Sequence, residues 1–169
     1  MKLNKIVLAG AVFFGITAGA NATTGSITFK GQVMDTACSI DASDLKQEVD
    51  FGVISKSQLA AGGSTVTQPV EITLIGCSTG ALNTASIEFN GGKGPNDTFG
   101  VSGQAQNIGV ALLNNGTKIA PGTAYEHKLA AGNNTISLQA AVEGANDDTA
   151  NPVVAGDFTS VANFIVSYK

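Results

Sequence analysis

Few residues of this 169-residue chain are of the types that do chemistry, and their spacing suits none of the common catalytic arrangements. The single histidine, His127, would have to serve any Ser/His/Asp triad. It stands in the polar stretch Tyr125-Glu126-His127-Lys128 among charged neighbours, the setting of an exposed, inert imidazole. Asp147 and Asp148 could be imagined as a carboxylate pair or cation site. Adjacent acids in a Gly/Asn/Thr loop more often form a solvated turn, and the ligand spacing of a calcium loop is missing. Gly91-Gly92-Lys93-Gly94-Pro95 is glycine-rich but lacks the spacing and following helix of a phosphate loop. No catalytic residue, metal site or cofactor is expected. A secreted enzyme is the rival class, and it would need an activity that disappears in His127→Ala.

Cys38 and Cys77 are the remaining candidates, and their chemistry depends on the compartment. The chain opens with Lys2 and Lys5, an apolar run from Ile6 to Ile16, and the small-residue motif Ala20-Asn21-Ala22. This is the pattern of a secretory signal over residues 1–22, removed on export. Cleavage after Ala20, at Ala18-Gly19-Ala20, is an alternative. An uncleaved anchor is the rival reading, but the run falls short of the about 20 apolar residues a bilayer needs. In an exported chain two cysteines read as a disulfide, worth roughly 4 kcal/mol for a loop of this length. Reduced buried thiols are one alternative. A metal site is another, short of third and fourth ligands because His127 is the only histidine.

Charge narrows the partners. Of nine basic residues all are lysine, and loss of Lys2 and Lys5 leaves seven against thirteen acids, a net charge of −6. An acidic chain without arginine is a poor match for nucleic acid or anionic lipid.

The elements that must position any site read as strands. The apolar fraction of 43% allows a core within one domain, and the 21 glycines punctuate short segments. Alternation of apolar and polar residues predicts strands over 26–36, 48–54, 69–77, 85–90, 107–113, 117–120 and 135–142, with 124–129 an ambiguous further strand. Asn114-Asn115-Gly116 predicts a hairpin turn, and 144–155 a polar loop. The last fourteen residues, from Gly156, end on the most regular alternation of all. Ala162, Phe164, Val166 and Tyr168 share one face, and Asn163, Ile165, Ser167 and Lys169 the other. Many short strands with Gly-rich turns indicate a β-sandwich. A terminal strand this apolar is an aggregation template unless something is meant to pair with it.

The sequence resembles the major subunits (pilins) of chaperone-usher, type 1-like fimbriae. The resemblance rests on the leader strand ITFKGQV before Cys38, an alternating strand ending LIGC at Cys77, the NIGVALLNNG hairpin, NNTISLQA, and a Gly156 that opens the last fourteen residues, with Tyr168 penultimate. It runs the length of the mature chain, and the order of the five segments is what is specific. It implies an all-β, incomplete immunoglobulin-like sandwich over 37–169 lacking its last strand, with 23–36 as an N-terminal extension acting as donor strand. The implied partners are identical subunits in a fibre, a periplasmic chaperone, an outer-membrane usher and tip subunits, with a host-cell receptor as a further candidate. The implied route leads through the periplasm to a cell-surface fimbrium that supports adhesion. On the donor, Thr23, Gly25, Ile27, Phe29 and Gly31 would share a face, with Gly25 where the groove is tightest or, alternatively, acting as a hinge. On the acceptor, Gly156, Ala162, Phe164, Val166, Tyr168 and Lys169 would form the groove and the chaperone-binding end. The leader before Ile27 is short if cleavage follows Ala22, so either the donor fills fewer pockets or cleavage occurs earlier. A minor, adaptor or adhesive subunit with its own receptor contact is the alternative.

Overall fold

The computed structural model describes residues 25–33, 36–147 and 149–169. The expected signal segment 1–22 and Thr23 lie outside the described residues. Residues 25–33 belong to a leading unit, and the remainder form a second. In the leading unit no residue of 25–33 is in a helix or strand, and Ile27 and Phe29 are 81% and 88% exposed.

The second unit is built from strands β1 (Ser39–Ile40), β2 (Gln68–Cys77), β3 (Thr84–Asn90), β4 (Phe99–Gly100), β5 (Ser102–Gly103), β6 (Ile108–Asn114), β7 (Thr117–Ile119), β8 (Thr123–Lys128), β9 (Gly132–Gly144), β10 (Phe158–Thr159) and β11 (Asn163–Tyr168), with one short helix, α1 (Lys56–Leu59). One sheet runs β1-β2-β9-β6-β4, with β7 also on β6; a second runs β11-β3-β8; β10 and β5 form a small pair. Every strand pairing is antiparallel.

The two larger sheets face each other across a common core. Ile72 and Leu74 of β2 and Ile136 and Leu138 of β9 meet Ala85, Ile87 and Phe89 of β3, all buried. Each large aliphatic side chain removed from water in this way contributes roughly 1.5–3 kcal/mol. Period-two alternation holds these residues on one face, so a register slip of one residue would expel the set. The expected hairpin forms between β6 and β7, with Asn115 and Gly116 both at positive φ, 47° and 79°, as a type I′ turn requires. The ambiguous segment 124–129 is largely strand β8, paired along β3.

Two expected strands are not there. Over 26–36 the described residues join no ladder, and the first paired residues are Ser39 and Ile40. Over 48–54 the chain also stays unpaired. Gly52 adopts φ 62°, and its N–H is taken at 2.8 Å by the Asp50 side chain, a local turn that interrupts extended backbone. Alternation alone makes a strand only where a neighbouring backbone completes the ladder.

An open strand edge above an apolar cleft

The last strand has one neighbour. β11 pairs residue for residue with β3, from Asn163 opposite Asn90 to Tyr168 opposite Ala85, and has no ladder partner on its other edge among the described residues. Lys169 exchanges two backbone hydrogen bonds with Thr84, both 2.9 Å, and Asn83 N–H also donates to its carbonyl oxygen. Alternation then directs the N–H and C=O of Phe164, Val166 and Tyr168 away from β3, towards the bare edge.

Where that strand begins, at Asn163 and Phe164, lies a cleft of about 1060 Å³. One wall is the run from Gly156 to Phe164, and the other is the unpaired segment 44–54. The floor is the core itself, with Ile72, Phe89, Phe99, Ile108, Leu112 and Ala140 all reaching it. A row of unpaired backbone groups above an apolar trough is suited to one kind of chemistry, the addition of an extended peptide as a further strand. Ladder bonds hold such a peptide, and every second side chain drops into the trough.

The expected acceptor residues divide into two groups. Gly156, Ala162 and Phe164 line the cleft. Gly156 is required by close approach, since a Cβ there would lie 2.6 Å from the Gln104 Cβ and 2.8 Å from the Ala105 nitrogen. Val166 and Tyr168 pack against the main core beyond the cleft. Phe164 stacks obliquely on Phe89, with ring centroids 6.3 Å apart. Tyr168 is half-buried, and its hydroxyl donates to the Cys38 carbonyl oxygen at 3.2 Å. Burial pushes the phenol above its ordinary pKa of 10.0. Lys169 forms an exposed ion pair with Glu126.

Cys38 and Cys77 form a disulfide that ties the start of β1 to the end of β2. Cys77 is on the inner face because of a bulge between Leu74 and Cys77, where Gly76 turns to φ 64° and resets the alternation. Gly76, an isolated glycine inside the strand pattern, is the residue that permits that reset. Of the expected donor residues, Gly25, Ile27, Phe29 and Gly31 are described and exposed.

The residues that first suggested chemistry are placed differently. His127 is half-buried rather than exposed, because β8 turns it inwards with Tyr125, ring centroids 6.5 Å apart. No hydrogen bond joins it to a serine or an acid among the described residues. Asp147 accepts the N–H groups of Thr149 and Ala150, both at 3.0 Å, as a loop turn; Asp148 lies outside the described residues. The cleft floor was not among the expected site residues: Ile72, Phe89, Ile108, Leu112 and Ala140 fall in predicted strands, and Phe99 falls in none. Nor were Asp44 and Gln47, which hold the second wall. Their signal was turn chemistry after Ile40, in Asp41-Ala42-Ser43-Asp44.

Residues 27–169 match the family described as Fimbrial protein. Among similar proteins, the Fimbria A protein of Serratia marcescens is 36% identical over the whole of both chains. The Major MR/P fimbria protein of Proteus mirabilis is 32% identical, again over the whole of both. A solved chaperone-usher pilus structure concerned with rod uncoiling superposes with a TM-score of 0.77 at 28% identity, covering 87% of this chain and 96% of that one. The P pilus rod subunit PapA superposes at 0.70 with 25% identity, covering 79% and 100%. With sequence and fold matched along almost its full length, the chain belongs to the fimbrial protein family, as a structural subunit of cell-surface fimbriae.

Proposed function

We propose that this chain is the repeating rod subunit of its fimbria and that copies join by donor-strand exchange. The leading segment of one copy, with Thr23, Gly25, Ile27, Phe29 and Gly31 on one face, adds to the bare edge of β11 in the next. Ile27 and Phe29 enter the trough between Gly156–Phe164 and 44–54. Burying the two contributes roughly 1.5–3 kcal/mol each, and the ladder fixes their register. The mature chain begins at Thr23, after a signal covering 1–22.

A single observation carries the reading: the strand that ends the chain has an unpaired edge, and where that strand begins, at Asn163 and Phe164, an apolar cleft opens onto the core. Such an edge does not persist in water unprotected. A periplasmic chaperone occupies it until the outer-membrane usher hands the subunit to the growing fibre beneath its tip subunits. The names of the relatives favour the rod position over an adaptor, since those of Proteus mirabilis and Escherichia coli include major fimbrial subunits.

The test is a self-complemented chain, with residues 23–36 grafted through a turn after Lys169. It is expected to fold as a monomer with a markedly raised melting temperature. If grafting brings no stabilisation over the ungrafted chain, the open cleft does not accept this segment. For the rod position, sheared fibres dissociated by heat should yield this chain as the dominant band; a trace band would assign it to an adaptor.

A further inference from the structure

The two rims of the cleft are built differently. β11 presents its own bare main chain, but across the cleft the outer edge of β2 is closed off by side chains. The β1–β2 ladder pairs Ser39 with Ile75 and Ile40 with Leu74, so the next pair is Asp41 with Thr73. Half of that pair forms: Asp41 N–H donates to the Thr73 carbonyl oxygen at 2.9 Å. The reciprocal bond does not. The Asp41 carbonyl oxygen accepts Asp44 N–H at 3.1 Å instead, closing a turn, and the Asp44 Oδ2 takes the Thr73 N–H at 2.7 Å. A side chain has replaced the main-chain acceptor at the point where the chain leaves the sheet.

The next groups along that edge are occupied in the same manner. Glu71, two residues on, presents its carbonyl oxygen outwards, and the Gln47 side-chain amide donates to it at 2.6 Å. The same amide donates to the Asp44 carbonyl oxygen at 3.2 Å. Two residues further, Pro69 has no N–H to offer. The chain beyond Asp41 is thereby denied the β2 edge, where the β1 register would set Ser43 opposite Glu71 and Leu45 opposite Pro69.

We propose that Asp44, assisted by Gln47, is a positioning residue that holds the cleft open for its donor. By satisfying Thr73 and Glu71 with side chains, it stops the chain after Asp41 from zipping on along β2. Residues 45–54 are thereby kept as the second rim, in no ladder of their own. Without the cap, continued pairing in the β1 register sets Ser43 opposite Glu71 and Leu45 opposite Pro69, draws 43–46 onto β2 and pulls the rim that follows out of place before a donor arrives. The inference rests on the strand-addition reading above, but one of its measurements is independent of it.

The test compares the wild-type mature chain with Asp44→Ala and Asp44→Asn, using a synthetic peptide of residues 23–36 as the donor probe. Amide hydrogen exchange is read first, without peptide. In Asp44→Ala the Glu71 amide should become protected as 43–46 docks on β2 with Ser43 opposite Glu71, whereas Asp44→Asn, which keeps an acceptor oxygen, should match wild type. Peptide uptake should then slow about tenfold in Asp44→Ala, the scale of losing one hydrogen bond to a charged acceptor, and recover in Asp44→Asn. Unchanged Glu71 exchange and unchanged uptake in Asp44→Ala overturn the proposal. Failure of the wild-type chain to take up peptide overturns the donor-strand reading instead, while the exchange result still decides the role of Asp44. Should Asp44→Ala not fold, Gln47→Ala at an exposed position removes the Glu71 contact and is expected to shift Glu71 exchange in the same direction; no shift there counts against the proposal.

Discussion

The Tyr168 hydroxyl donates to the carbonyl oxygen of Cys38, 3.2 Å away and 130 positions earlier in the chain, so the last strand is pinned to the first. Cys38 is itself bonded to Cys77 at the end of β2. One end of the sandwich is therefore closed by a hydrogen bond and a disulfide, while the flank along β11 stays open.

Tyr168→Phe removes this hydrogen bond and little else. It should lower unfolding stability by about 1 kcal/mol in denaturant titrations, the usual net worth of such a bond. No change would show that water satisfies Cys38 equally well.

The same residue sets an alkaline limit. The folded state raises the phenol's pKa by burial, so it favours the neutral form. That contribution to stability is whole below the ordinary value of 10.0 and is lost as pH rises through the higher folded value. Denaturant titrations from about pH 9 to 11.5 should show a decline that is shallower in Tyr168→Phe. Equal slopes in both chains would place the alkaline sensitivity elsewhere.

Cys38→Ser or Cys77→Ser opens the covalent tie and should cost roughly 4 kcal/mol, seen as a large drop in urea midpoint and a low periplasmic yield. Wild-type stability in the unreduced mutant would show the bridge to be dispensable.

Gly156→Ala places a Cβ 2.6 Å from the Gln104 Cβ at the cleft wall. The backbone there must shift, at a cost of about 1–3 kcal/mol, and the β5–β10 pairing beside it should loosen. Thermal unfolding together with exchange at Gln104 reads both effects.

Phe29→Ser leaves the sandwich residues untouched. The variant should fold and bind chaperone yet fail to extend fibres, as seen by electron microscopy and by loss of high-mass ladders. Fibres of normal length would remove Phe29 from the donor face.

Much of the sandwich was legible because its strands are half-buried and therefore alternate. Val70, Ile72 and Leu74, or Ile136, Leu138, Ala140 and Val142, declare one inner face without help. Asn115-Gly116 declares its turn because both positions need positive φ. Cys77 did not declare its side, since the Gly76 bulge breaks the count by one. Residues 48–54 misled because alternation reports which side chains seek burial and carries no information about which backbone will pair with them.

By itself the sequence determined the strand-rich composition, the inner faces, the pairing of the only two cysteines and the unusual apolarity of the final strand, all properties of local residue pattern. Only the tertiary structure decided that β11 keeps one edge bare, that Phe99 and Ile108 reach the trough below it, and that Asp44 ends the opposite ladder. Those depend on which backbone groups meet across long stretches of chain, and hydrogen-bond partners of that kind are chosen by packing in three dimensions rather than by neighbours in sequence.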